Sequence, residues 1–326
     1  MKRLFVIILV FLSVSVDAQD PEFTQFYANP LYLNPAFAGT AKGARFSMNY
    51  RNQWASLDNS FVTYAVSYDQ HFDAIGGGIG AQVLYDVAGD GQLSTTMGSL
   101  VYSYHLNLTP KFTIKAALQT SVQQKHIDFS QLIFPDMIHA RQGVIYETGE
   151  TLPSNGDYFM DPFLDFSAGF LGFTKKFYAG LAFNHINEPK QTFLDDQTSI
   201  LPMKITTHVG MQIPLDQTRN PKRFFSPNVL VQKQANFIQF NLGAYYIKDY
   251  WIAGIYWRQT PTNPDAAMVL IGLKRDPFKI GYSYDITFSD VRFGGQGSHE
   301  LSIIIELPTK TPMQTTKWRK LTCPDF

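Results

Sequence analysis

Hydrophobic and polar residues alternate with a period of two along most of the chain, from about residue 42 to residue 307. In the stretch 203–213, for example, nearly all odd positions are apolar, whereas the even positions include Lys204 and His208. A period of two places neighbouring side chains on opposite faces of a β-strand. The pattern therefore predicts a series of β-strands, each with one apolar and one polar face.

Turn residues divide this region into fourteen predicted strands. They cover residues 42–53, 60–72, 74–87, 92–107, 111–126, 162–174, 176–186, 203–214, 223–234, 236–247, 250–259, 265–275, 277–287 and 298–307. Most of the connections are short, so we expect neighbouring strands to run antiparallel. An even number of such strands places both ends of the sheet on the same side.

Alternation is also typical of a soluble β-sandwich, and three features favour a membrane barrel instead. The polar faces are rich in Gly, Ser, Thr and Gln, as in a crowded lumen. The apolar faces of the clearest strands carry no charge, and a charge near the bilayer midplane costs about 2–4 kcal/mol. Finally, long connections such as 127–161 and 187–202 fall mostly on one side. This asymmetry is typical of outer-membrane barrels.

The sequence thus predicts an all-β fold, an antiparallel transmembrane β-barrel of about 14 strands with a short N-terminal plug segment. Two connections break the loop asymmetry: the short one near Ala235 and the longer one at 215–222. Either of them could reflect a wrongly divided strand. Because the strand number is even and the long loops are assigned to the outside, both termini are expected in the periplasm.

The first residues indicate export from the cytoplasm. Lys2 and Arg3 precede an apolar run, and Ala18 closes a plausible cleavage site, which together predict a signal peptide over 1–18. Segment 19–41 follows, then the outer-membrane β-barrel over 42–307 and a periplasmic C-terminal tail over 308–326.

Composition supports this division. Charged residues make up only 17% and aromatic residues 15% of the chain, and basic and acidic residues balance at 27 each. Low charge and many aromatics suit contact with a lipid bilayer, and nothing suggests nucleic acid. The single cysteine, Cys323, excludes an intramolecular disulfide. Aromatics at the strand ends are predicted to form interfacial girdles, among them Trp54, Tyr178, Tyr250, Trp251 and Trp257.

Segment 19–41 lacks the two-residue period and contains two Asn-Pro pairs, Asn29-Pro30 and Asn34-Pro35. Proline disfavours helix at the residue before it, and asparagine bonds its own backbone, so each pair predicts a turn. Apolar residues around the turns need cover from water. Two interpretations remain open: a plug in the periplasmic mouth of the barrel, or a docking element for another envelope protein.

This segment carries a resemblance to a known family. Its motif consists of Gln25, Phe26, Tyr27, Asn29, Pro30, Asn34, Pro35, Ala36, Ala38 and Gly39, followed by the run 50–54. The motif resembles the opening of the PorP/SprF family, outer-membrane proteins of the Bacteroidetes type IX secretion system. The resemblance implies an envelope component of the secretion and gliding machinery without enzymatic activity. It also implies two kinds of partner: a secreted adhesin with a C-terminal sorting domain, and type IX components in the periplasm or outer membrane.

Long outer loops carry function more often than the strands below them. The candidate partner-binding residues are Phe134, Met137, Tyr146, Tyr158 and Phe159 in loop 127–161, and Phe193 and Leu194 in loop 187–202. The alternative for the longest loop is that it folds inward and narrows the lumen.

Signatures of catalysis and metal binding are missing from the sequence. Ser167 is followed by Gly169 but preceded by Asp165, which does not make a hydrolase elbow, and the seven histidines are scattered. We therefore predict no enzyme, no catalytic or metal site and no cofactor. A FadL-like outer-membrane channel for small hydrophobic molecules is the alternative function. It requires a continuous apolar path, yet the polar faces carry Lys111, Lys115, Lys204, His208 and Asp285.

Overall fold

The computed structural model describes residues 20–41, 43–56, 60–89, 93–133, 135–139, 141, 143–144, 157–191, 199–218, 221–261, 264–288 and 297–308. Outside these ranges lie the predicted signal peptide, nearly all of the predicted tail, and the loop candidates Phe134, Tyr146, Phe193 and Leu194. Within them, no helix is long and apolar enough to cross a membrane.

Fourteen long antiparallel strands form a closed barrel. They are β1 (Ala44–Gln53), β2 (Phe61–Phe72), β3 (Gly77–Ala88), β4 (Leu93–Thr109), β5 (Phe112–Asp128), β6 (Phe163–Phe173), β7 (Phe177–Asn184), β8 (Lys204–Met211, resumed at Ile213–Pro214), β9 (Arg223–Gln234), β10 (Phe237–Lys248), β11 (Trp251–Gln259), β12 (Pro264–Arg275), β13 (Phe278–Thr287) and β14 (Ser298–Leu307). The predicted fold class and strand number are confirmed.

Pairing of the first strand with the last closes the sheet. β1 pairs with β14 over its full length, from Ala44 opposite Leu307 to Gln53 opposite Ser298. Each strand also pairs with the one that follows it in the chain. Closure leaves no free sheet edge around the wall, as a membrane barrel requires.

Both connections that broke the predicted asymmetry are real. Gln234 and Phe237 are paired as the ends of β9 and β10, which leaves a two-residue turn between them. Ala235 adopts the left-handed conformation in this turn, with φ of 48°. Residues 215–222 separate β8 from β9 on the opposite side. No strand was divided wrongly.

The strands present their apolar side chains outward and their polar side chains inward. Leu118 and Ile255 are each 70% exposed, whereas Lys115 and His208 are completely buried. A soluble protein distributes these residue types in the opposite way. The outward surface is therefore suited to lipid, and the soluble sandwich is excluded.

The aromatic girdle prediction is wrong for one residue. Tyr250 and Trp251 are 60% and 65% exposed on the outer surface. Tyr178, by contrast, is fully buried, and its hydroxyl lies 2.5 Å from Asn228 Oδ1 inside the barrel. It occupies an even position of β7, and the even positions of that strand face the lumen.

The two ends of the barrel differ, and we name them by their connections. Odd-numbered strands run toward the loop rim, which bears the long connections after β5 and β7. Even-numbered strands run toward the turn rim, where β1 begins and β14 ends. The wall is uneven in height, because β4 and β5 have 17 residues each and β7 has only 8.

The N-terminal segment forms three short helical turns: Phe26–Ala28, Pro30–Leu33 and Pro35–Phe37. Pro30 and Pro35 stand at the start of their turns. A backbone N–H at this position would have no acceptor within the turn, so proline loses no hydrogen bond there. The Asn34 side chain accepts a hydrogen bond of 2.9 Å from the backbone N–H of Ala36. The Asn-Pro pairs thus fold this segment locally, as their sequence predicts.

Candidate functional site: the N-terminal segment in the lumen

Residues 20–40 lie inside the barrel and traverse it from one rim to the other. At the loop rim, the Asp20 carboxylate lies 2.8 Å from His185 Nε2, and the Asp20 N–H donates to Gln234 Oε1 at 3.1 Å. At the turn rim, the Gly39 N–H donates to the Asp69 carboxylate at 2.7 Å. We call residues 20–40 the plug, residues 20–25 the latch and residues 26–40 the base.

This course places the first described residue and the end of the last strand at opposite rims. Asp20 lies at the loop rim, whereas Leu307 ends β14 at the turn rim. The even strand number does place the start of β1 and the end of β14 on one side, but the plug crosses the lumen before β1. The plug also extends over the whole height of the barrel, beyond the single mouth that the sequence suggested.

The latch is bound through its backbone by Glu300 of β14. The N–H groups of Thr24 and Gln25 donate to the two carboxylate oxygens of Glu300 at 2.6 and 3.1 Å. The Gln25 amide also donates to the Glu300 backbone carbonyl at 3.0 Å, and Ser302 donates to Gln25 Oε1 at 2.6 Å. Every one of these groups is buried, so each bond replaces one that water would make.

Two arginines balance the acidic groups around the latch. Arg51 of β1 lies 3.0 Å from Asp285 and 3.4 Å from Glu300. Arg258 of β11 lies 3.3 Å from both Asp285 and Asp265. Such buried charges are stable only when they are paired and hydrogen-bonded. The latch contributes to this network, because the Thr24 hydroxyl lies 2.8 Å from both carboxylate oxygens of Asp285.

A second ionic cluster holds the start of the latch. His185, which follows β7, lies between Asp20 and Asp165, 2.8 and 2.9 Å from their oxygens. Burial alone would lower the pKa of His185, but the two carboxylates outweigh it and raise the pKa to about 9. His185 is therefore a cation at neutral pH. It and Lys204, 3.6 Å from Asp20, keep the pKa of Asp20 below its ordinary value despite burial.

The base is held mainly by packing. Its buried aromatic and aliphatic side chains form one cluster with the inward side chains of the wall. The Phe26 ring lies edge-on to Tyr256 at 5.5 Å between centroids, and the Tyr27 ring lies edge-on to Tyr178 and Tyr245 at 6.0 Å each. Edge-to-face pairs at these distances are favourable. The buried Tyr178 thus belongs to the contact surface of the plug.

Wall glycines make room for the second Asn-Pro pair. A Cβ atom on Gly169 of β6 would lie 2.2 Å from Asn34 Oδ1 and 2.9 Å from Pro35. A Cβ atom on Gly180 of β7 would lie 2.8 Å from Asn34 Nδ2 and 2.2 Å from the His208 ring. Asn34 uses this space to donate to the Phe170 carbonyl at 3.0 Å. The base and the wall are therefore complementary in shape.

The end of the base is fixed at the turn rim by hydrogen bonds from wall side chains to its backbone. The Ala38 carbonyl accepts hydrogen bonds from the Lys115 amine and from Ser103, the latter at 2.7 Å. Arg45 of β1 pairs with Asp69 at 2.7 Å and donates to the Phe37 carbonyl at 3.1 Å. The wall therefore satisfies the Phe37 and Ala38 carbonyls at the end of the base.

The structure groups the predicted site residues into two sets. The motif residues lie in the plug: Gln25 in the latch, and Phe26, Tyr27, Asn29, Pro30, Asn34, Pro35 and Gly39 in the base. Of the loop candidates, Met137 lies in a short turn, Pro135–Met137, while Tyr158 and Phe159 extend the wall by pairing with the end of β5. Phe159 is 61% exposed at the loop rim. The two sets are thus a buried plug and an exposed rim.

Several contact residues of the plug were missed by sequence reasoning. His185, Arg258 and Glu300 bind the latch, yet they lie far from it in the sequence. Arg51 belongs to the motif run 50–54, but its contact with Thr24 was not predicted. Inward charges in membrane strands are costly and usually functional, so a charge on a polar face was the available signal. In the described part of the chain, no group of three His, Cys, Asp or Glu residues is placed to hold a metal ion.

Comparison with known proteins relates the chain to one family. The family model described as type IX secretion system membrane protein PorP/SprF matches residues 15–305. No curated protein matches the chain significantly.

Three solved structures similar to this chain have low sequence identity to it. A Pseudomonas aeruginosa FadL homologue is 12% identical, with a TM-score of 0.44 over 81% of this chain and 90% of its own. Acinetobacter baumannii Omp33 is 9% identical, with a TM-score of 0.46 over 82% of this chain and all of its own. The CymD monoaromatic hydrocarbon channel is 12% identical, with a TM-score of 0.45 over 87% and 94% of the two chains.

Proposed function

Because this chain belongs to the PorP/SprF family of type IX secretion system membrane proteins, we propose that it helps to export a secreted adhesin and to anchor it at the cell surface. As a member of that family, it is an outer-membrane component of the secretion system. In the proposal, the adhesin is recognised through its C-terminal sorting domain. The loop rim faces the exterior, and the turn rim faces the periplasm and its type IX partners.

The observation that carries this proposal is the filled lumen. The plug occupies the barrel from rim to rim, and its side chains pack against inward residues of many strands. A barrel filled in this way meets a protein partner first at its rims. Exposed apolar side chains at the loop rim, such as Phe159 and Ile138, offer contact area for a protein partner.

The alternative, a FadL-like channel for small hydrophobic molecules, requires a continuous apolar path. Lys115, His208 and Asp285 point into the lumen and are buried there against the plug or its neighbours. Charged and polar groups at these positions disfavour transit of an apolar molecule. No observation on the lumen favours the channel over the anchoring function.

Affinity purification tests the anchoring function. The tagged protein is extracted from its native envelope in detergent, and the material bound to it is identified by mass spectrometry. We expect a large secreted protein with a C-terminal sorting domain, together with type IX components. A stoichiometric lipid without any protein partner would contradict the proposal.

Replacement of the motif separates a plug from a docking element. We expect that simultaneous Asn29→Ala, Pro30→Ala, Asn34→Ala and Pro35→Ala substitutions abolish partner retention and leave a folded, heat-modifiable barrel that unfolds at lower temperature. If retention survives, the motif acts only as a plug.

A further inference from the structure

Five of the six latch residues, all except Pro21, meet complementary groups on the wall of the outer half of the lumen. We propose that this half of the lumen is a peptide-binding groove, which the latch occupies here and which also accepts a segment of similar chemistry from a secreted partner. The part about the partner rests on the proposed function. The groove itself rests on the latch contacts alone.

The groove places cations against two acidic positions of the peptide. His185 and Lys204 face the Asp20 carboxylate at 2.8 and 3.6 Å. Arg258 faces the Glu22 carboxylate at 4.0 Å. The two acidic residues are separated by Pro21 alone, so the spacing of the cations selects two carboxylates that lie close together in a chain.

An apolar recess follows these cations. Phe23 is 5% exposed and packs with Ala65, Leu84 and Met97 of three neighbouring strands. The ring of Tyr32 closes the recess from the base, edge-on at 5.2 Å between centroids. The recess fits one aromatic side chain. Most other inward side chains of these strands are polar, so the recess is a local exception that suits a ring.

The inner end of the groove recognises the backbone. Both Glu300 oxygens accept backbone N–H groups, at 2.6 and 3.1 Å, from the two residues after the aromatic ring. Any peptide without proline at these two positions carries these donors. Asp285, 2.8 Å from the Thr24 oxygen, adds a preference for a hydroxyl at the first of the two positions. The expected ligand is therefore a peptide with two carboxylates, an aromatic ring and a hydroxyl, in that order.

The latch is suited to exchange with such a peptide. Residues 20–25 take part in none of the strand pairings of the described wall, so the latch can leave without breaking the sheet. Its outer end lies at the loop rim, where an external peptide would enter. The latch is tethered to the base, which gives it a high effective concentration of about millimolar order. A peptide in trans binds well only when the latch is weakened or when the partner adds contacts at the rim.

A labelled peptide tests the groove directly. The probe is a fluorescent synthetic peptide with the sequence Gln-Asp-Pro-Glu-Phe-Thr-Gln, which copies residues 19–25. Its binding is measured by anisotropy to the full chain in detergent, and to a variant with Asp20→Ala, Glu22→Ala and Phe23→Ala. The control probe carries Asn, Gln and Ala at these three positions. Heat-modifiability on a gel verifies that each barrel is folded.

We expect the variant to bind the probe at least tenfold more tightly than the unchanged chain, whose own latch competes. We also expect the control probe to bind at least tenfold more weakly than the probe. Equal binding of probe and control to the folded variant would overturn the groove. If the triple variant does not fold, Phe23→Ala alone is used, with the same expected order of affinities and the same overturning result.

The partner is tested by elution. We expect excess latch peptide to release the secreted protein captured in the affinity purification, and the control peptide to leave it bound. Retention of the partner under saturating latch peptide would overturn its use of the groove. Failure to capture any partner would count against the proposed function, whereas the anisotropy result would still decide whether the groove exists.

Discussion

The latch and the base occupy one lumen but are held there by different forces. The latch is bound by ionic groups and hydrogen bonds, centred on Glu300, Asp285 and His185. The base is bound by packing of aromatic and aliphatic side chains and by wall glycines that leave space for it. Ionic contacts depend on pH and on charge balance, whereas packing depends on volume. The two regions should therefore respond to different perturbations.

The largest expected effect comes from Arg51, which balances two buried carboxylates. In Arg51→Leu, Asp285 and Glu300 lose this cation, and breaking a buried pair in this way costs about 3–5 kcal/mol. We expect protease to cleave the latch while the base stays protected. Limited proteolysis with mass spectrometry locates the cleavage. Arg223→Leu is the matched control, because Arg223 forms an exposed pair with Asp216, and we expect its loss to leave stability nearly unchanged.

A pH change should also act on the latch alone. The pKa of His185 is raised from 6.5 to about 9, so its contribution is complete below pH 6.5 and is lost as the pH rises through 9. That contribution is on the order of 3 kcal/mol. The charged groups that face His185 are Asp20 and Asp165, with Lys204 next to Asp20. We expect cleavage of the latch to increase between pH 7 and pH 10.

The variant His185→Gln separates this mechanism from a general loss of stability at alkaline pH. It removes the titrating group at a similar size, so we expect latch cleavage to be higher at pH 7 and to change little up to pH 9. If latch cleavage in His185→Gln depends on pH as strongly as in the unchanged chain, another group controls the latch.

The base should respond to added volume. Gly169→Val places a side chain against Asn34 and Pro35, and overpacking of this kind costs about 1–3 kcal/mol. We expect the base to become sensitive to protease and the heat-modifiable barrel to unfold at lower temperature. Gly98→Val is the control, because a Cβ atom at Gly98 meets nothing within 4 Å. Equal effects of the two substitutions would mean that the base does not fill the space that Gly169 leaves in the wall.

The smallest effect on stability is expected at the loop rim. Phe159 is 61% exposed, and an exposed surface substitution usually changes stability by less than about 0.5 kcal/mol. We expect Phe159→Ala to keep the barrel and both parts of the plug unchanged. In the affinity purification, it should reduce the amount of captured partner. Full retention of the partner would remove Phe159 from the proposed docking surface.

Sequence alone was sufficient for the wall. A period of two identifies which side chains share a face, and apolar residues on the outward face made the strands easy to delimit. The same rule predicts that Tyr178 faces inward, because its residue number is even, like those of the inward Gly180 and Ala182. Its aromatic side chain suggested a place in the girdle, but its position in the strand directs it into the lumen.

The site was less predictable, because periodicity gives a face but not the neighbours across a lumen. Arg51, Asp285 and Glu300 are separated by up to 249 positions in the chain and meet only when the barrel closes. The Asn-Pro pairs predicted local turns correctly. Nothing in the local sequence, however, indicates that Asp20 reaches the loop rim beside His185, since that depends on the length of the plug relative to the wall.

The course of the plug also sets an order for folding. The plug is continuous with β1, and its outer end carries Asp20 and Glu22. If the wall closed first, these carboxylates would have to cross a narrow lumen lined by packed side chains. Threading charged groups through such a space is unfavourable. The wall is therefore expected to wrap around the plug, with the pairing of β1 and β14 as the last step, so the plug would serve as a template for the barrel that encloses it.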